Sequence, residues 1–230
     1  MLPKSVKVEA YQPLNKKLVP TKPRKAKELA WKLGTKYTYR YTLNGKDIGS
    51  ETFTVKKTQQ GKSTIYQWKS SLTLKAGATS VKSETSFALA DNGRPISFER
   101  EYTGSQRAKL KADFANDQVK VSKKVFFTSK RTIKLPKNAM FFDNNLLTSF
   151  AGICSHLDFK AGETTRIQAF HPNSFRILTL TFEVAKKMEK VNGEDCYKCK
   201  VVELRNTFWV SQDGRFVKGT AATLVMQLTK

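Results

Sequence analysis

The stretch FFDNNLLTSFAGICSHLDF, residues 141–159, has a pattern that differs from the rest of the chain. Its apolar residues recur at spacings of three and four, which is the period of an amphipathic α-helix. Asp143 or Asn144 can cap the amino end, and Gly162 lies just beyond the carboxyl end. The pattern predicts a helix at about residues 143–158, the one convincing helix of the sequence. The apolar residues with this spacing are Leu146, Leu147, Phe150, Ile153, Cys154 and Leu157.

The segments on both sides of this helix alternate with a period of two, which is typical of β-strands with one buried face. Tyr37, Tyr39 and Tyr41 alternate with polar residues, and the Asn-Gly pair that follows is a strong hairpin signal. About seven strands precede the helix, the last of them VKVSKKVFF at residues 119–127, and about six follow it. Because an apolar helix needs a sheet face to bury against, we predict a mainly β (α+β) protein. Its fold would be a curved antiparallel sheet, or half-barrel, wrapped around one central helix.

Residues 1–34 have a different composition, with prolines spread among many lysines. We predict that they form an extended basic arm, followed by a single antiparallel β domain at residues 35–230. Such an arm either leads into the domain as solvated chain or binds a polyanion. The candidate polyanion-binding residues are Lys16, Lys17, Lys22, Arg24, Lys25 and Lys27.

The charge of the chain is strongly positive, with 42 Lys and Arg against 19 Asp and Glu, a net charge of +23 over 230 residues. A surface of this kind attracts nucleic acid, anionic lipid or acidic polysaccharide. Lysines on strands also discourage pairing between sheet edges, which is a structural use of charge that needs no partner. The sequence lacks an apolar run long enough for a transmembrane helix. We expect a protein without a membrane span, either cytoplasmic or exported with its signal peptide removed.

Three segments together resemble a known group of domains: YTLNGKDIGSETFTVKK (41–57), the helical segment with the strand after it (141–172), and VNGEDCYKCKVVE (191–203) with the later FWVSQDGRFVKG (208–219). They resemble the uncharacterised exported β domains of bacterial envelopes, found alone or ahead of transglutaminase-like cores. The resemblance covers roughly residues 35–230. It implies a fold similar to that of the outer-membrane lipoprotein carriers and a periplasmic or extracellular location. It implies no catalytic residues.

The two cysteines of GEDCYKCKVVE, Cys196 and Cys199, raise the question of a metal or redox site. Residues three apart on a strand point to opposite faces, so a strand cannot bring both sulfurs to one ion. With Cys154 and His156 they would complete a Cys₃His zinc set, which is the sharper hypothesis. Two other hypotheses remain. In one, two of the three cysteines form a disulfide, and in the other, all three are inert buried thiols. We predict buried thiols and no metal.

Common catalytic motifs are missing from the sequence, among them the Gly-x-Ser-x-Gly elbow, the P-loop and His-Glu-x-x-His. Cys154 with His156 or His171 could form a nucleophilic pair, but Cys154 falls late in the predicted helix and His171 precedes a proline. We therefore expect no enzymatic activity and no cofactor.

The predicted function is that of a non-enzymatic, envelope-associated binding or scaffold protein. It would hold an apolar ligand or a protein partner in the concave face of the sheet. The same aromatic residues could simply fill a core, so both interpretations stay open. The alternative function is a polyanion binder, of nucleic acid or of anionic glycan or lipid, acting through the large positive charge. The candidate lining residues are Trp68, Phe98, Phe141, Phe142, Phe150 and Trp209.

Overall fold

A computed structural model of the chain describes residues 29–103, 107–115 and 117–229. The first eight strands are β1 (Tyr37–Leu43), β2 (Lys46–Gln60), β3 (Ser63–Ala76), β4 (Thr79–Ala90), β5 (Pro95–Thr103), β6 (Arg107–Ala115), β7 (Gln118–Lys124) and β8 (Thr128–Lys134). The short strand β9 (Met140–Phe141) and the helix α1 (Leu147–Cys154) follow. The remaining strands are β10 (Thr164–His171), β11 (Arg176–Val184), β12 (Glu189–Val191), β13 (Glu194–Val201), β14 (Asn206–Ser211), β15 (Phe216–Ala221) and β16 (Leu224–Thr229).

The strands of the described residues form one sheet in the order β8-β7-β6-β5-β4-β3-β2-β1-β16-β15-β14-β13-β11-β10-β9, with β12 paired to β13 beside this path. Strands β1 to β8 are an antiparallel meander, and β1 also pairs with β16. The first and last strands therefore lie side by side in the middle of the sheet. The short β9 pairs with β10 in the parallel direction. The predicted fold class, a curved antiparallel sheet around one helix, is confirmed.

The helix α1 is buried on every side, and all eight of its residues are buried. It is shorter than the predicted 143–158, because residues 143–146 form a turn and Ser155 ends the regular helical hydrogen bonding. Its one glycine, Gly152, packs against β4, where a β-carbon would lie 3.2 Å from Leu89 and 3.3 Å from Phe87. A helix apolar on all faces is a core element. In the described part of the chain, no helix is long and apolar enough to cross a membrane.

A row of stacked aromatic rings covers the concave face of the sheet. The β2 ring of Phe53 lies 5.7 Å from that of Trp68 on β3, which stacks at 5.6 Å on Phe87 of β4. Phe87 and its cross-strand neighbour Phe98 both contact Phe141, at 5.5 and 4.6 Å. Alternation along each strand places these residues on one face, and the antiparallel register aligns them across strands.

The two open edges of the sheet approach each other through side chains. Phe114 on β6 meets Phe170 on β10 edge-to-face at 5.8 Å. At the middle of β8, the guanidinium of Arg131 lies 5.9 Å from the ring centroid of Phe175, in the turn after β10. The shell is thus a half-barrel whose gap is bridged by aromatic contacts.

Trp31 belongs to this core, although it falls within the predicted basic arm of residues 1–34. Its side chain is 1% exposed, and its ring lies 5.0 Å from Phe53 and 6.3 Å from Trp68. The indole nitrogen donates to Ser155 Oγ at 3.2 Å, just after α1. The packed part of the chain therefore begins before residue 35. Within the segment before β1, the tryptophan packs in the core while Leu33 remains 45% exposed.

We expect Trp31→Ala to lower the free energy of unfolding by about 3–5 kcal/mol, as for other buried tryptophans. The truncation leaves a cavity between β2, β3 and the end of α1. Urea denaturation measures the effect, with Leu33→Ala from the same segment as the control. The control should stay within about 0.5 kcal/mol of the wild type. Equal losses for the two variants would contradict the placement of Trp31 in the core.

Candidate functional site

Two acids and one arginine lie fully buried around the amino end of α1, inside an otherwise apolar interior. They are Glu51 on β2, Asp143 before the helix and Arg100 on β5, and none of the three is exposed. Burying a charged group is costly unless it is paired and hydrogen-bonded. This cluster is therefore the first place to look for either chemistry or structural support.

Glu51 caps the helix from a distant strand. Its carboxylate accepts hydrogen bonds from the backbone N–H of Leu147 at 2.9 Å and of Thr148 at 3.2 Å, and from Tyr41 Oη at 2.9 Å. The Thr148 hydroxyl also donates to it. Burial raises the pKa of Glu51 above its usual value, and the hydrogen bonds from Thr148 and Tyr41 act in the opposite direction. Glu51 thus satisfies helix donors that have no partner within the helix.

The expected local cap is replaced by this contact. Leu146 occupies the N-cap position and has no side chain that can accept a hydrogen bond. Asp143 lies one turn too early, and its Oδ1 instead accepts from the backbone N–H of Asn145 at 3.0 Å. The Asp-Asn sequence therefore forms a turn before the helix. The capping group comes from the sheet.

Asp143 and Arg100 form the second half of the cluster. Arg100 Nη1 lies 3.0 Å from Asp143 Oδ2, and the other guanidinium nitrogens donate to Ser83 Oγ and to the carbonyl of Asn145. The amide of Asn173 donates to both Asp143 oxygens at 3.2 Å. The pair joins β4, β5, the turn before α1 and the turn after β10. This geometry is that of a buried ion pair with a structural role.

The two candidate histidines, His156 and His171, each form hydrogen bonds through their ring nitrogens. His156 Nδ1 lies 2.8 Å from the carbonyl oxygen of Gly152 in α1. His171 Nε2 lies 2.9 Å from Asn144 Oδ1, and its Nδ1 lies 2.8 Å from Ser174 Oγ. Burial lowers the pKa of His171, although the nearby Asp143 charge raises it. These bonds position the turn after β10 against the turn before α1.

All three cysteines are buried and free, so none is in a disulfide. Burial raises the pKa of Cys196 to about 11 and that of Cys199 to about 12, and it raises the pKa of Cys154 well above its usual value. Thiols with such values are protonated at neutral pH and are poor nucleophiles. Cys154 and Cys199 are part of the apolar core, whereas Cys196 is buried outside that cluster.

The candidate zinc set of Cys154, His156, Cys196 and Cys199 is not brought together. Among residues 29–103, 107–115 and 117–229, no three His, Cys, Asp or Glu side chains are arranged to hold a metal ion. Cys196 and Cys199 are both paired in the ladder with β14, opposite Ser211 and Phe208. The strand therefore separates their sulfurs, as its period of two requires.

Most of the predicted ligand-lining residues are core residues. Five of them, Trp68, Phe98, Phe141, Phe142 and Phe150, are at most 2% exposed. Phe142 and Phe150 contact edge-to-face at 4.8 Å. Their rings pack against one another and against α1, so the concave face at these residues is filled by the protein itself.

Trp209 lies on the other face of the sheet, because its neighbour Phe208 takes the inward position on β14. Its ring is only partly buried and lies between Lys198 and Lys218 on the adjacent strands, at 5.5 and 5.2 Å. The indole nitrogen donates to Glu189 at 2.8 Å. Trp209 therefore does not share a site with the other five lining candidates.

The six polyanion-binding candidates lie outside the described residues. They are Lys16, Lys17, Lys22, Arg24, Lys25 and Lys27, all within residues 1–28.

Sequence reasoning missed Phe126 and Phe127, which are 91% and 88% exposed. The predicted strand 119–127 ends at Lys124, which pairs with Thr128, and the intervening residues form a three-residue loop. A signal was present, because three consecutive apolar residues from Val125 break the alternation that buries Val119 and Val121. Such a run cannot have all its side chains on the core face.

We expect Glu51→Ala to lower the free energy of unfolding by about 3 kcal/mol or more, because several buried donors lose their acceptor at once. Glu51→Gln keeps an acceptor oxygen and should cost less. Urea denaturation followed by circular dichroism measures both. The matched control is Glu84→Ala, which removes an exposed strand acid bonded to Ser71. A loss below about 1 kcal/mol for Glu51→Ala would contradict the capping role.

Comparison with known proteins agrees with this architecture. No curated protein matches the chain. Among solved structures, it is similar to the crystal structure of a beta-barrel-like protein of a domain of unknown function, DUF1849, from Brucella abortus. The TM-score is 0.54 at 8% identity, and the match covers 85% of this chain and 95% of the other. Identity this low supports the fold alone.

The family comparison supports the expectation of an uncharacterised β domain. Residues 36–225 match the model of DUF3108, which is described as a protein of unknown function. The match begins at the residue before β1 and ends within β16, so it includes the helix and the polar cluster around it. The chain therefore belongs to the DUF3108 family.

Proposed function

We propose that this protein is a non-enzymatic binding or scaffold protein whose partner contacts lie on its outer surface. The filled interior is the observation that supports the proposal most directly. Five of the six aromatic side chains predicted to line a ligand site are packed in the core. The buried charges of Glu51, Asp143 and Arg100 are bonded within the chain. Groups bonded in this way stabilise the fold and leave the outside of the shell for recognition.

We also place the protein in the bacterial envelope, in the periplasm or outside the cell. Its similarity to exported β domains supports this location. The lipoprotein-carrier likeness of such domains supports a binding role, and their position ahead of transglutaminase-like cores supports a scaffold role. On this proposal the DUF3108 fold supplies a rigid shell with a variable outer face.

A filled interior predicts that the protein isolated from its own cells has the mass of the chain alone. Native mass spectrometry measures this, and a spectrum of the denatured protein provides the control for trimming and covalent modification. A lipid or other apolar molecule bound at one per chain would contradict the proposal. The concave face would then have to open around α1.

A second candidate function, polyanion binding, is favoured by the charge of the outer face. The whole chain has a net charge of +23, and strands β6 to β8 present a series of lysines on the face opposite the core. Because electrostatic attraction to phosphates or sulfates needs no pocket, such a face is sufficient for binding. The lysines are Lys109, Lys111, Lys120, Lys124, Lys130 and Lys134.

Salt distinguishes this candidate from partner recognition through apolar contacts. We expect affinity for a short DNA duplex to fall by about 10³-fold or more between about 50 and 200 mM salt, because counterions are released on binding. Fluorescence anisotropy measures it, and a duplex of scrambled sequence provides the control. A fall of this size supports the polyanion function, and an affinity that barely changes with salt contradicts it.

A further inference from the structure

The loop between β7 and β8, here called the hairpin tip, consists of Val125, Phe126 and Phe127. The two phenylalanine side chains are 91% and 88% exposed, and Val125 is 45% exposed. Fully exposed neighbouring aromatics of this kind mark an interaction site in soluble proteins. The tip is not used by the fold or by the proposed function.

The hairpin holds the tip at a fixed place. The ladder of β7 and β8 runs without a break from Gln118 opposite Lys134 to Lys124 opposite Thr128. Val119 and Val121 anchor its inner face in the core. At the other end of the hairpin, the backbone N–H of Leu135 donates to the carbonyl of Asp117 at 2.6 Å. The tip therefore projects from the end of the sheet as a convex point.

The hairpin is also strongly cationic. Residues 118–134 contain six basic residues and no acid. Three of the lysines, Lys123, Lys124 and Lys130, lie within three residues of the phenylalanines. Beside Val125, a shallow depression of about 380 Å³ is lined by three basic residues, Arg107, Lys109 and Lys124, and by one acid, Glu101.

Protection of the sheet edge explains the lysines of this hairpin but not its exposed phenylalanines. Lysines on the exposed edge strand β8 discourage pairing with another chain. Two exposed phenylalanines at the end of the same hairpin favour association. The combination fits a surface that is both anionic and able to accept apolar side chains.

A bilayer surface fits these features better than a protein partner does. A stable protein interface buries about 800 Å² on each side, which one three-residue convex loop cannot provide. A bilayer needs no complementary pocket, because aromatic side chains insert between head groups while lysines contact the anionic lipids around them. We propose that the hairpin tip docks this protein on an anionic membrane surface by inserting Phe126 and Phe127. This goes beyond the proposed function, because membrane contact would localise the protein whatever it binds.

Vesicle binding by the full chain tests the aromatic part of the proposal. Vesicles of phosphatidylcholine with phosphatidylglycerol are compared with vesicles of phosphatidylcholine alone in a co-sedimentation assay. The wild type should bind the anionic vesicles. The double variant Phe126→Ser/Phe127→Ser should have a partition coefficient about tenfold or more lower, because it lacks the two rings whose transfer from water to lipid favours binding. Leu33→Ser, at another exposed apolar side chain, provides the control and should bind as the wild type does.

A charge-matched pair tests the electrostatic part. The triple variant Lys123→Gln/Lys124→Gln/Lys130→Gln should lose about fivefold in binding for each charge removed. The control triple variant, Lys56→Gln/Lys57→Gln/Lys62→Gln, removes the same charge from exposed positions toward the opposite end of the sheet. It should bind nearly as well as the wild type. Thermal unfolding verifies that each variant is folded.

A direct measurement of insertion completes the test. The emission of Phe126→Trp should shift to the blue on addition of anionic vesicles, because the ring enters the lipid interface. Equal losses for the two lysine triples, or full binding by the double serine variant, would overturn the proposal in favour of diffuse charge. A wild type that ignores the vesicles would also overturn it, as would a tip that binds only a protein or nucleic acid.

Discussion

The carboxylate of Glu51 at the amino end of α1 is the contact on which the interior depends. An eight-residue helix is not stable alone, and this one has no local cap and no acid in its first turn. Its free N–H groups are satisfied by a strand residue 96 positions earlier. The meander must therefore be in place before the helix can be completed. Fold and helix are specified together, through one buried side chain.

The Arg100–Asp143 pair extends this constraint to the open side of the shell. It connects β5 to the turn before α1, and Asn173 connects the same turn to the strands that follow. Buried charges are poor sources of stability but demanding about geometry. We attribute to them the fixed position of the helix, while the stacked rings supply the burial of apolar area. Glu51, Asp143 and Arg100 each bond to other groups of the chain.

On the proposed function, the interior supports the fold and the outer face contacts partners. The similarity at 8% identity to the beta-barrel-like DUF1849 protein shows that the architecture tolerates very different sequences. A sheet with a buried face requires alternation and register, not particular residues. The outer face is then free to vary in charge, and here it has become cationic. Its most unusual feature is a hairpin that combines exposed phenylalanines with lysines.

The alternation of the strands, the one apolar helix and hence the curved sheet around it could all be predicted from the sequence. These depend on local periodicity, which is visible in a single chain. The folded structure was needed to show that Trp31 belongs to the core, that Glu51 caps the helix and that Trp209 faces away from Phe150. The structure also showed which aromatic residues are exposed. Phe126 and Phe98 both fall in segments predicted to be strands, but Phe126 lies in a loop and Phe98 in a paired strand. Partnerships between residues far apart in the chain leave no periodic trace, so they could not be predicted from the sequence.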